Sequence, residues 1–276
     1  GISIIKQWAE DHKDDIDRFA VFPTGYFGLV TPNNGLELYD GNIRLIGQDG
    51  VELEKFHPDN YLDIIAEHVE PWSYLKFPYY KPMGWPNGSY RVGPLGRLNM
   101  ADVVETPLAG EEHKIFKSLN GGAPIENTLY YHYARMIEVL FSIEKIEEIL
   151  DNPETIGSDI LDTKENFQGE GVGCLEAPRG TLIHHYRATE DRRLTMVNLI
   201  VSTGHNNFSM CNSVDMVAKE YVKDHGVTEG MLNRVEAAVR AHDPCLSCST
   251  HAVGQMPILI NVKDSEGQTI KTMTRE

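Results

Sequence analysis

No stretch of the chain approaches the roughly eighteen uncharged apolar residues that a membrane-spanning helix requires. The N-terminal segment lacks the basic, apolar and small-residue pattern of a signal peptide, so the expected compartment is the cytoplasm. Basic residues are also few. Lys and Arg number 25 against 41 Asp and Glu, a formal net charge of -16, which leaves no basic face to replace counterions and argues against nucleic acid or an anionic membrane as partner. Cysteine is scarce: Cys174, Cys211, Cys245 and Cys248. Nothing indicates secretion, and 276 residues with 41% hydrophobic content can bury a core without disulfide staples. Internal repeats, low-complexity tracts and interdomain linkers are absent as well, so 1–276 is expected to be one domain. The chain starts at Gly1, and "ISIIKQWAEDH" reads as the interior of a helix, giving the expectation that an N-terminal part is missing.

What is there has the pattern of a mainly α protein with small β (α+β), its sheets peripheral. Residues 1–17 read as helix, and "GNIRLIGQDGVELEKF" alternates around Gln48-Asp49-Gly50 as a hairpin should. A short helix is expected after "HPDN". The segment 71–100 is crowded with Pro, Gly and aromatics and reads as an ordered irregular loop. From Glu126 to Leu150, the positions Tyr130, Tyr133, Met136, Ile137, Leu140, Ile143 and Ile146 recur at helical spacing and predict one packed face. After a loop at 151–170, "GCLEAPRGTLIHHYRAT" and "RLTMVNLIVST" read as strands joined near Glu190-Asp191. Helices near 208–224 and 228–241 and a terminal hairpin around Ser265-Glu266-Gly267 complete the reading.

The chemistry gathers in "DPCLSCSTH", Asp243 to His251. Thiolates suit soft metals, and a C-x-x-C turn presents both sulfurs on the same side. Alone it supports a zinc site, an iron-sulfur site or a redox pair. A structural zinc needs two more ligands, and no second C-x-x-C or H-x-H cluster stands at usable spacing. Cys174 and Cys211 read as small buried hydrophobes. His184 and His185, adjacent on a strand, point to opposite faces and with His205 read as packing or hydrogen-bonded residues.

"DPCLSCSTH" resembles the C-terminal cysteine motif of nickel-iron hydrogenase large subunits. "YRVGPLGRLN", "EAPRGTLIHHY", "STGHNN" and "GMLNRVEAAVRAHDP" resemble further blocks of that family in the same order. The likeness runs over nearly the whole chain and is nearest the cytoplasmic branch, which includes NAD-reducing bidirectional enzymes and methanogen enzymes that feed heterodisulfide reductase. It implies a nickel-iron hydrogenase large-subunit-like fold with the N-terminal part absent, and reversible oxidation of dihydrogen to protons and electrons.

The resemblance also implies roles. Cys245 would be a terminal thiolate of nickel, and Cys248 would bridge nickel to an iron carrying carbon monoxide and cyanide. His251 would ligate a buried magnesium or iron ion, to which Leu199 would offer its backbone carbonyl. Arg179, in "APRG", would lie above the open metal position and touch a cyanide, for which a permanently charged fork of donors is suited. Asp243 would be its carboxylate partner, Ser202 or Thr203 the hydroxyl donor to the other cyanide, and Pro178 and Pro244 would stiffen the loops. Dihydrogen is a very poor acid, so its heterolysis needs a Lewis-acidic metal and a base, Cys245 or Arg179.

Four cysteines are too few for electron-carrying clusters, so an iron-sulfur small subunit is implied, and beyond it an electron-acceptor module, NAD-reducing or linked to heterodisulfide reductase. The family's N-terminal R-x-C-G-x-C-x-x-x-H block, with its two cysteines, and the glutamate before it are missing. The chain is thus expected to be a fragment, or one half of a split subunit. The family's maturation protease cuts after the final histidine, which makes 252–276 a cleavable extension. Two rivals stand beside this reading: the homologous quinone-pocket subunit of respiratory complex I, which lacks the metal, and a zinc-stabilised non-catalytic protein, which leaves "APRG" unexplained.

Overall fold

A computed structural model describes residues 1–158, 160–161, 167–221, 228–249 and 258–275. Helix α1 (Ile2–Asp11) and the single turn α2 (Lys13–Ile16) occupy the first predicted helix, which breaks at His12. Strands β1 (Gly25–Val30), β2 (Asn42–Ile46) and β3 (Glu52–Phe56) follow, β2 and β3 forming the expected hairpin. After "HPDN" the turn α3 (Tyr61–Ile64) leads into β4 (Ile65–His68), which pairs with β5 (Phe77–Tyr80). Then come β6 (Tyr90–Arg91), α4 (Gly93–Met100), α5 (Pro107–Ser118) and α6 (Tyr131–Leu150). Strands β7 (Glu170–Ala177), β8 (Gly180–Ala188) and β9 (Leu194–Ile200) make an antiparallel meander. Helices α7 (Ser202–His205), α8 (Asn207–Tyr221), α9 (Glu229–Ala241) and α10 (Leu246–Ser249) precede the hairpin β10 (Ile258–Lys263) and β11 (Thr269–Arg275). The α+β expectation is met. No helix among the described residues is long and apolar enough to cross a membrane.

The four-stranded sheet has the order β3-β2-β1-β6, with β6 parallel to β1. Its first strand is interior: Phe27, Leu29 and Val30 are buried, and Phe27 and Leu29 pack with Ile43, Leu45, Tyr90, Val92, Ile183 and Ile200. Small sheets were expected at the periphery. This one lies inside because β1 runs between α4 and the meander, and each such buried side chain contributes about 1.5–3 kcal/mol. A second core joins Ile16, Leu95, Leu98, Phe116, Tyr131, Ile137, Val217 and Ala238 from the helices.

Two further expectations are corrected. The segment 71–100 is not one irregular loop, since it contains β5, β6 and the wholly buried α4. Two glycines and a proline in "GPLGRLNM" count against a helix locally. Proline at the first turn is tolerated, however, and a Cβ on Gly96 would lie 2.7 Å from the Arg91 carbonyl oxygen. Close packing therefore demands the glycine. The face of α6 is also shorter than its period suggests. Tyr130, Tyr133 and Ile137 are buried, whereas Ile143 and Ile146 are 57% and 56% exposed. Periodicity reports the helix, but only neighbouring elements cover it, and past Phe141 the helix leaves the core. Its outer half still holds α5, because the Glu144 carboxylate accepts from the Leu108 and Ala109 amides at 2.8 and 2.9 Å and satisfies open N–H groups at that helix start.

Candidate metal centre

Three segments meet at the "CLSC" turn: the end of α9, the β7–β8 connection and α7. Helix α9 ends where Asp243 takes a left-handed backbone, φ 51°, a conformation aspartate tolerates better than most residues. Its amide bonds back to the Arg240 carbonyl at 3.0 Å. Asp243 therefore closes a helix, the ordinary structural role of such a residue, and also turns the chain toward Pro244 and Cys245. The Cys248 amide donates to the Cys245 carbonyl at 3.2 Å, and the two Cα atoms stand 5.4 Å apart. Their sulfurs are in contact, paired here as a disulfide. So close an approach allows two thiolates to reach one ion.

Arg179 comes from the two-residue connection between β7 and β8. Its Nε donates to the Asp243 carbonyl oxygen at 2.6 Å and its Nη2 to the Asp243 carboxylate at 3.4 Å. The turn is pressed against the start of α4: a Cβ on Gly93, at φ 78°, would lie 2.8 Å from the Arg179 carbonyl oxygen, and one on Gly180 would overlap Val92. Only glycine fits both places. The chain then returns through β9 to α7, where the two hydroxyls differ. Ser202 Oγ donates to the Gly180 carbonyl at 2.7 Å, while Thr203 Oγ1 accepts the Cys245 amide at 3.0 Å. The serine proton is thus committed, whereas the threonine keeps one to donate.

Behind the turn stands a buried network that sequence reasoning missed. Arg97 of α4 forks onto Glu138 of α6, Nε to Oε1 at 2.6 Å and Nη2 to Oε2 at 2.7 Å, and meets Glu176 through Nη1 at 2.7 Å. The same guanidinium donates to the carbonyls of Ala177 and Pro178 at 2.9 and 3.1 Å. Burial works against its charge, but the two carboxylates outweigh it and raise its pKa. Glu176 lies within the quoted "EAPRG" block and Arg97 within "YRVGPLGRLN", signals that could have found both; Glu138 carried none. Arg135, one helical turn before Glu138, donates to the Ala241 carbonyl at 3.0 Å. Burial pushes the adjacent His242 down to about 3, with Arg91 the next cause, so its imidazole is neutral.

The remaining expected residues are placed as follows. Pro178 is exposed and Pro244 half-buried, each in its turn. Leu199 lies on β9 opposite His184. His251 and the start of the 252–276 extension lie outside the described residues. Cys174 and Cys211 are half-buried free thiols, each with its pKa raised by burial. His185 is buried against Tyr61 at 3.0 Å, His184 faces the other side, and His205 bonds Tyr90 at 2.8 Å beneath Phe27. All three serve packing or hydrogen bonding.

Among the described residues no group of three or more His, Cys, Asp or Glu could hold a metal ion. The convergence of two sulfurs beside an arginine and a threonine hydroxyl fits part of a thiolate-bound centre, with further ligands required from outside these residues. What the fold and this site define is an α+β protein whose paired-cysteine turn is backed by a buried arginine–carboxylate network.

The comparisons name the family. The nickel-dependent hydrogenase family matches residues 38–251, and the chain belongs to that family. It is 42% identical over 278 residues to the NAD-reducing hydrogenase HoxS subunit beta of Cupriavidus necator, covering 100% of this chain and 57% of that protein. It is 41% identical over 268 residues to one subunit of the F420-non-reducing hydrogenase of Methanothermobacter marburgensis, covering 95% and 56%. The crystal structure of an NAD+-reducing [NiFe]-hydrogenase in the H2-reduced state superposes with a TM-score of 0.87 at 42% identity, over 91% of this chain and 55% of that one. The chain therefore spans a little over half the length of these relatives, and its fold is that of the C-terminal part of a hydrogenase large subunit.

Proposed function

We propose that this chain carries the C-terminal half of a nickel-iron centre in a cytoplasmic, multi-subunit hydrogenase that oxidises dihydrogen reversibly to protons and electrons. The observation that carries this reading is the convergence of Cys245, Cys248, Arg179 and Thr203 from loops distant in sequence. Cys245 and Cys248 would hold nickel and iron as thiolates, with two more thiolates from the N-terminal part of the large subunit, on this or a separate polypeptide. His251, with the Leu199 carbonyl, would hold a magnesium or iron ion. When bound, the centre supplies a Lewis acid for dihydrogen, which offers no other handle.

The chain's own groups do the rest. Arg179 would bring a permanent charge and N–H donors to the thiolates, and its bond to the Asp243 carbonyl would fix its direction. Thr203, rather than Ser202, donates to a diatomic ligand, since only its hydroxyl proton is uncommitted to Gly180. The proton would go to Cys245, whose thiolate can accept it, since a permanently charged Arg179 has no lone pair to offer. Electrons leave through an iron-sulfur small subunit to an acceptor module, NAD-reducing or linked to heterodisulfide reductase. A maturation protease would remove 252–276, whose hairpin β10–β11 extends from the site turn.

The complete enzyme, purified under reducing conditions, tests this. Nickel, iron and hydrogen uptake are expected in the wild type and lost in Cys248→Ser, and the active chain is expected by intact mass to end at His251. Zinc without nickel would establish the non-catalytic rival, and absence of any metal would favour the quinone-pocket rival. Normal activity of Cys248→Ser would overturn the ligand assignment, and full activity in a chain reaching Glu276 would overturn the processing step.

A further inference from the structure

We propose that Arg135 and Glu138, one turn apart on α6, set the spacing between the Arg179 turn and the cysteine turn, with Arg97 as the connecting piece. This rests on the reading of the centre given above and deepens it by naming positioning residues that touch no reacting atom. Arg97 has all its N–H groups engaged: Nε on Glu138, Nη1 on Glu176 and the Ala177 carbonyl, Nη2 on Glu138 and the Pro178 carbonyl. Its side chain is 2% exposed, that of Glu138 13% and that of Glu176 0%. The fork is rigid and planar. The carbonyls of the two residues before Arg179 are therefore held at a set distance from α6.

The other turn is tied to the same helix. Arg135 Nη2 donates to the Ala241 carbonyl at 3.0 Å, two residues before Asp243, and a cation suits the C-terminus of α9. Arg135 and Glu138 lie on the same face of α6, as i and i+3 residues do. One helix turn thus addresses both loops from behind. Arg179 and Asp243 meet at the front, at 2.6 Å, and the direction of the guanidinium beside the cysteine turn follows from where the two loops stand. A misplacement of about 1 Å there costs on the order of 100-fold in rate.

A buried ion network can also be simple fold support, and the molecule provides a comparison. Arg44 is also buried, though less deeply, bonding Glu52 at 2.7 Å, the Met100 carbonyl at 2.6 Å and Asp102 at 2.8 Å, and none of these bonds goes to a site turn. The experiment uses the complete hydrogenase complex with Arg97→Lys, Glu138→Gln, Arg135→Lys and, for comparison, Arg44→Lys. Hydrogen exchange is read on peptides covering 175–181 and 241–248, alongside nickel content and the infrared bands of the diatomic ligands. The three α4 and α6 variants are expected to lose protection at both turns by roughly tenfold, the scale of one lost buried hydrogen bond. Nickel should remain, the bands should shift, and kcat should fall roughly 10- to 100-fold with KM little changed. Arg44→Lys should leave both turns protected and the bands unmoved. Unchanged exchange in Glu138→Gln and Arg97→Lys would overturn the proposal, as would the same loss in Arg44→Lys. A wild-type complex without nickel or hydrogen uptake would defeat the proposed activity instead, while the exchange comparison would still decide the positioning role.

Discussion

Arg179 donates through Nε to the backbone carbonyl of Asp243 at 2.6 Å and only distantly, at 3.4 Å, to its carboxylate. The stronger bond is thus made to an atom that every amino acid possesses. The arginine is aimed by the backbone of a left-handed helix end, while the carboxylate adds charge balance from the solvent side, where its side chain is 44% exposed.

Arg179→Lys follows from this geometry. Lysine keeps the charge but loses the planar fork and cannot both hold the Asp243 carbonyl and present further directed donors beside it. Metal content is expected to persist while turnover falls by about 10²–10³, the scale of one removed preorganised donor. Nickel analysis and hydrogen uptake on the same sample check it; loss of the metal would mean that Arg179 supports the fold instead.

Thr203 and Ser202 separate by their partners. Thr203→Val keeps the shape and deprives the Cys245 amide of its acceptor, which should cost about 1–3 kcal/mol and shift the infrared bands of the diatomic ligands. Ser202→Ala removes the bond to the Gly180 carbonyl and should lower stability while leaving those bands in place. A shift in Ser202→Ala alone would reverse the assignment.

His113 makes stability depend on pH. Its Nε2 donates to the Leu98 carbonyl at 2.8 Å, and burial pushes it down to about 4, the Leu98 bond opposing and the Lys117 charge assisting, with Asp102 on the other side. Lys117, lowered by burial to about 8, is charged in both states below that pH. The folded His113 pKa is depressed, so the unfolded chain binds the proton first as pH falls. The contribution of a neutral His113 is therefore whole above about 6.5 and is lost as pH falls from about 6.5 to about 4. His113→Gln, which can still donate to Leu98, should flatten the slope of unfolding free energy in that window by up to about 1.4 kcal/mol per pH unit. Urea melts of both proteins across the window measure it, and identical slopes would show that His113 is not the group responsible.

Legibility varied with how local the signal was. The β2–β3 hairpin announced itself through alternation around Gln48-Asp49-Gly50, because strand period and turn chemistry are properties of neighbouring residues. So did α9 and the strands on either side of Glu190-Asp191. Helix α4 stayed hidden because Gly93 and Gly96 serve close approaches to Arg179 and Arg91, partners that local propensity does not contain. The pairing of Arg97 with Glu138 was invisible for a related reason: the two are 41 residues apart, and although Arg97 lies within "YRVGPLGRLN", nothing local to either names its partner.

By itself, the sequence determined which chemistry was available: a C-x-x-C turn, an arginine between Pro178 and Gly180, and hydroxyls at 202 and 203, since donor type belongs to the side chain. Only the tertiary structure decided how those groups are used. It set Arg179 on a carbonyl rather than a carboxylate across 64 residues of chain, committed Ser202 to Gly180 across 22, and left Thr203 to cap Cys245 across 42. Such pairings are fixed by the packing of α4, α6 and the β7–β9 meander behind them. Hydrogen bonds depend on distance and direction in space, which chain order alone does not contain.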